Sequence, residues 1–114
     1  MNCSYLKIGE KTVELKFTAR RAAALEADLG EGLLAGLSKS DRVSVAAKYL
    51  SRGADISLDE AYGLYDEYVE SGGTLEELNE VIVEGLQNGG FLSRAAVKAA
   101  EELKNRLEKK PPRG

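Results

Sequence analysis

The sequence predicts a mainly α fold: a small helical domain with an N-terminal β-hairpin packed on four to five helices. Three observations lead there. Residues 4–17 alternate apolar and polar side chains in the manner of half-buried strands. Beyond Thr18, apolar residues recur at helical spacing. Two S/T-x-x-E motifs, Ser57 with Glu60 and Thr74 with Glu77, each read as a capping box that fixes where a helix begins.

Taken in order, Leu6 and Ile8 share one face of the first strand, and Val13, Leu15 and Phe17 share one face of the second. Lys7, Thr12, Glu14 and Lys16 point the other way. Gly9-Glu10 lies between the strands, and a glycine first in a two-residue loop fits a type II′ turn. An isolated hairpin is marginal in water, so its apolar face must rest on helices. Thr18 is the expected N-cap of a helix over 19–29, with Ala22, Leu25 and Leu29 inward and Gly30 as its stop. The run Gly30-Glu31-Gly32-Leu33-Leu34-Ala35 fits the dinucleotide pattern G-x-G-x-x-A. It follows a helix instead of a strand, so it reads as a helix stop before a short segment over 33–37.

Ser40 is the expected cap of a third helix over 41–52, with Val43, Ala46, Ala47 and Leu50 inward and Gly53 closing it. Asp41 and Arg52 complement its dipole. The stretch 57–91 then gives two capped helices joined by Gly72-Gly73 and closed by Gly89-Gly90. Leu58, Ala61, Tyr62, Tyr65 and Val69 form the apolar stripe expected of the first, and Leu75, Leu78, Ile82 and Leu86 that of the second. Gly85 is expected to let two helices approach closely. A last helix is expected from Ser93 to about Lys109, with Ala96, Ala99, Ala100, Leu103 and Leu107 inward. Residues 1–110 read as one domain, and 111–114 as a disordered tail.

Bulk properties narrow the function. At 114 residues the chain can bury roughly 65% of its unfolded surface without staples. A net charge of −3 disfavours general binding to a phosphate backbone, which needs a basic surface. A single cysteine, Cys3, allows neither an internal disulfide nor a cysteine-based zinc site. The N-terminus lacks the apolar core of a signal peptide, and no apolar run approaches bilayer length, so a cytoplasmic protein without a membrane partner is expected. There is no histidine and no pairing of a nucleophile with a base, so neither catalytic residue nor cofactor is expected. The carboxylates lack the D-x-D-x-D-G order of a calcium loop, so no metal is expected.

The stretch 57–91 holds nine acidic residues and no Lys, Arg or His. Beyond Phe91 the sign changes, with Arg94, Lys98, Lys104, Arg106, Lys109, Lys110 and Arg113 outnumbering Glu101, Glu102 and Glu108. Three readings of the basic last helix stay open: packing on the acidic pair of its own chain, packing on that of a neighbouring copy, or standing as an ordinary solvated terminal helix.

The hairpin around Gly9, the helix ending Leu25-Glu26-Ala27-Asp28-Leu29-Gly30, and above all Tyr65-Asp66-Glu67-Tyr68, Gly72-Gly73-Thr74 and Gly89-Gly90-Phe91 give the chain a likeness to a known family. Over residues 5–91 it resembles the tail assembly chaperones of long-tailed bacteriophages and prophages, a resemblance of pattern and order without a diagnostic chemical motif. The resemblance implies a mainly helical, self-associating, non-enzymatic protein that binds the long tape-measure protein. Such a chaperone keeps that chain soluble while the tail tube polymerises, and it is absent from the mature virion. Family members often also occur in a longer form made by ribosomal frameshifting, and Lys109-Lys110 lies where a slippery codon pair would sit. The expected partner-binding residues are Tyr68, Val81 and Val83 at the edge of the acidic pair and Leu103 and Leu107 of the last helix. The alternatives are a small helical DNA-binding regulator and a regulatory subunit. In the former, the second helix of a helix-turn-helix would carry Asp59, Glu60, Asp66, Glu67 and Glu70 toward phosphate.

Overall fold

A computed structural model describes residues 3–92. The expected last helix, with Leu103 and Leu107, and the tail 111–114 lie outside the described residues. The order is β1 (Cys3–Ile8), β2 (Lys11–Lys16), α1 (Ala19–Leu29), α2 (Leu33–Leu37), α3 (Val43–Ala54), α4 (Leu58–Glu70) and α5 (Leu75–Asn88). The mainly α class with an N-terminal hairpin is therefore what the chain adopts.

β1 and β2 pair antiparallel, with Leu6 opposite Val13 and Ile8 opposite Lys11. Gly9 has φ +62°, and Glu10 is not among the residues with positive φ, as a type II′ turn requires. Ser4, Leu6, Ile8 and Leu15 are buried on the inner face, and Phe17 continues it. α3 is the central helix: α1, α4, α5 and β2 all pack on it, while α5 also lies along β1. The core comprises Leu6, Leu15, Phe17, Leu25, Tyr49, Leu50, Leu78, Ile82 and Leu86, all nearly or wholly removed from solvent. Each such side chain contributes roughly 1.5–3 kcal/mol from burial alone.

Local chemistry fixes the helix ends. Thr18 accepts a hydrogen bond from the Arg21 amide and Gly30 closes α1 at φ +74°. Both capping boxes are present in full: Ser57 and Glu60 exchange bonds at 3.0 and 3.1 Å, and Thr74 and Glu77 both at 3.2 Å. α4 ends in a Schellman motif, in which the Gly73 amide donates to the Tyr68 carbonyl and the Gly72 amide to that of Val69. α5 ends the same way, with Phe91 donating to Leu86 and Gly90 to Gln87.

Four expectations are corrected. Helix α3 starts at Val43, two residues late, because tight turns through Lys39, Ser40 and Arg42 precede it. Ser40 is buried, and its carbonyl accepts from Asn79 Nδ2 at 2.9 Å. At the other end Gly53 stays helical and Asp55 takes the left-handed turn at φ +61°. Gly53 is needed for closeness instead, since a Cβ there would stand 2.8 Å from Phe17 Cζ. Gly85 likewise admits the β-hairpin and not another helix: its Cβ would meet Ser4 Oγ at 2.9 Å and Phe17 Cε2 at 3.1 Å. Finally, α4 and α5 follow one another in sequence but barely touch; each packs on α3 and the hairpin.

Candidate partner-binding surface

α4 determines the surface available to a partner. Successive residues of a helix are about 100° apart, so four families of side chains point in four directions. Ala61, Leu64, Tyr65 and Tyr68 form the inward face, with Ala61 and Tyr68 buried and the other two half-buried. Leu58, Tyr62 and Val69 stand together on one flank, 39%, 37% and 45% exposed. Asp59, Asp66 and Glu70 form an exposed ridge beside them. Glu60, Gly63 and Glu67 lie on the opposite flank, where they help enclose a shallow groove.

That groove has a volume of about 460 Å³ and a floor of Val13, Ala54, Ile56 and Leu64. Glu67 on its rim pairs with Lys11 at 3.0 Å, both half exposed. Glu60 is bound to the Ser57 amide, and that bond holds its carboxyl below the usual range. A Cβ at Gly63 would meet nothing within 4 Å, so the mouth of the groove is open there. α5 adds a second acidic face through Glu76, Glu77, Glu80 and Glu84, all exposed. Among the described residues, Lys11 is the only cation in an ion pair with a carboxylate of 57–91. No group of three His, Cys, Asp or Glu able to hold a metal ion occurs among the described residues. No described helix is long and apolar enough to cross a membrane.

The expected binding residues fare unequally. Tyr68 was expected at an outer edge; it is 5% exposed, and its ring is wedged against Gly73. Burial first, and the nearby Glu77 carboxylate second, push its phenol up from the ordinary value. Val81 and Val83 are half-buried and lie on opposite flanks of α5, so they do not form one edge. Val81 does share a cleft with Tyr68, between the hairpin turn and the α4–α5 connection, and its carbonyl accepts from Ser4 Oγ at 2.7 Å. Leu103 and Leu107 lie outside the described residues.

Leu58, Tyr62 and Val69 were expected to face the core and instead face solvent. The signal that identifies the inward face was present: 61, 64, 65 and 68 have the i, i+3, i+4, i+7 spacing of a core-facing stripe. Leu58, Tyr62, Tyr65 and Val69 have an equally good spacing, and Tyr65 belongs to both.

No family model matches the chain, and neither do any curated protein or any solved structure.

Proposed function

We propose that this chain is a non-enzymatic tail assembly chaperone that binds the tape-measure protein and keeps it soluble during tail tube assembly. It acts in the cytoplasm of a bacterial host and does not enter the mature virion. The observation that carries this reading is the exposed flank of α4, where Leu58, Tyr62 and Val69 lie beside the Asp59, Asp66 and Glu70 ridge. A long helical client presents apolar residues at helical intervals, and an apolar strip bordered by charge can hold such a segment weakly and release it. The resemblance over residues 5–91 supplies the identity of the client. Tyr62 supports the assignment of the flank, because tyrosine combines a large contact area with a hydroxyl that tolerates water.

The acidic ridge argues against the DNA-binding alternative, since α4 would bring Asp59, Asp66 and Glu70 toward phosphate. Co-expression tests the proposal. A tape-measure protein co-expressed with this chain should become markedly more soluble with the wild type and not with Leu58→Asp/Tyr62→Asp. The double variant should melt with the wild type, because both side chains are exposed. An unchanged soluble yield with the wild type overturns the reading.

A further inference from the structure

We propose that the outer edge of β1, at Tyr5 and Lys7, is a strand-addition site. Its ligand is an extended segment of a partner polypeptide, antiparallel to β1, with Lys or Arg at the position that faces inward. No residue of the exposed α4 flank lines this site, which takes a strand where that flank would take a helix. The inference therefore stands independently of the tape-measure reading.

Register identifies the open main chain. Ile8 and Lys11 flank the two-residue turn at Gly9-Glu10, so they exchange both main-chain bonds. By the alternation of an antiparallel pair, Leu6 with Val13 and Ser4 with Leu15 do the same. The N–H and C=O groups of Cys3, Tyr5 and Lys7 then point away from β2. At Cys3 the outward carbonyl is already taken, since it accepts from Asn88 Nδ2 at 2.9 Å. Asn88 thus stops one end of the edge. At Tyr5 and Lys7 the edge is open: among the described residues nothing outside the hairpin bonds either amide or either carbonyl. Such an edge is a template for a further strand, and two residues of it offer four hydrogen bonds.

The surroundings of the edge decide which strand fits. A cleft of about 510 Å³ borders Tyr5 and Lys7, and Tyr68, Gly73, Glu80 and Val81 supply its other walls. In an added strand, the residues opposite Tyr5 and Lys7 send their side chains to the solvated outer face. The residue between them, opposite Leu6, points inward to the cleft. There Tyr68 and Val81 give an apolar wall, and Glu80 an exposed carboxylate without an ion pair among the described residues. Glu77 also lines the cleft but is held in its capping box by Thr74. Glu80 is therefore the charge left for a partner. A Lys or Arg at the inward position covers Val81 with its stem and meets Glu80 with its head.

Amide hydrogen exchange of the full chain, read by NMR, tests this with the peptide acetyl-Thr-Val-Lys-Val-Thr-amide at millimolar concentration. The peptide should shift the Tyr5 and Lys7 amide resonances and slow their exchange. Exchange at Thr12 and Glu14, on the opposite edge of the hairpin, should stay as it was. The same peptide N-methylated at both valines cannot donate to the edge and should slow neither amide. Glu80→Lys, at an exposed position, should weaken binding by about tenfold, since it turns an attraction into a repulsion. A peptide with Glu in place of its Lys should recover that loss. Unslowed exchange at Tyr5 and Lys7 overturns the proposal, as does equal slowing by the methylated peptide. Undiminished binding to Glu80→Lys overturns the basic inward position. Protection of the two amides without peptide also overturns it: in dilute solution it assigns the edge to the chain itself, and where it grows with concentration, to a second copy.

Discussion

The ring of Tyr68 occupies the space where a side chain of Gly73 would be. The Gly73 amide donates to the Tyr68 carbonyl at 2.9 Å, and a Cβ at position 73 would run into Tyr68 Cε1 and Cζ. The glycine that closes α4 thus also lets a tyrosine become core. Gly73→Ala should cost roughly 1–3 kcal/mol in urea unfolding, the usual range for overpacking. In a double-mutant cycle with Tyr68→Ala the two losses should not add. Additive losses would show that the contact does not decide the cost.

Gly63 and Gly85 should respond in opposite directions to the same change. Gly63 sits in mid-helix with open space around it, so Gly63→Ala should stabilise by about 0.5–1 kcal/mol from helix propensity. Gly85→Ala gains the same propensity but forces a methyl against Ser4 Oγ and Phe17 in the core, and should destabilise. Thermal melts of the two variants should bracket the wild type.

Tyr49 is wholly buried, and its hydroxyl donates to the Leu33 carbonyl at 2.6 Å. Tyr49→Phe leaves that carbonyl without its partner and should cost about 0.5–1.5 kcal/mol. Burial also pushes the Tyr49 phenol well above the ordinary 10. A raised acid gives stability that is present below the unfolded value and lost as pH rises past it. Spectrophotometric titration should therefore show Tyr49 ionising only above the ordinary phenol range, in step with alkaline unfolding. Normal titration of all five tyrosines in a folded chain would contradict this.

Acid should act through Asp28 and Glu60. The hydrogen bond from Arg52 lowers Asp28, and the Ser57 amide lowers Glu60. Carboxyls depressed in the folded state contribute stability above their unfolded values, near 3.8 and 4.5, and lose it as pH falls through the folded ones. Melting temperature should fall below about pH 4.5. Asp28→Asn should flatten that fall, because the bidentate pair of 2.7 and 3.1 Å with Arg52 no longer titrates. An unchanged acid limb in Asp28→Asn would remove this pair as a cause.

Local signals were legible because they are satisfied within a few residues. Thr18, Gly30, Ser57 with Glu60 and Thr74 with Glu77 act where the sequence places them, since each closes a bond to a backbone group three or four positions away. The hairpin turn at Gly9 is local in the same sense. Ser40 failed as a cap because Asn79, thirty-nine residues on, binds its carbonyl in the interior.

What the chain by itself determined is where the hairpin turns, where α1, α4 and α5 begin and end, and that 57–91 carries only negative charge; the bounds of α3 were set by packing. Tertiary packing alone decided which side of α4 is buried. Two apolar stripes of the right period share Tyr65, and the inward one is the stripe whose Tyr68 fits against Gly73 while α4 lies on α3 and β1. Periodicity fixes the angle between side chains on a helix but not its rotation about its axis. Only contact with the neighbouring elements sets that rotation, and here it turned Leu58, Tyr62 and Val69 to the outside.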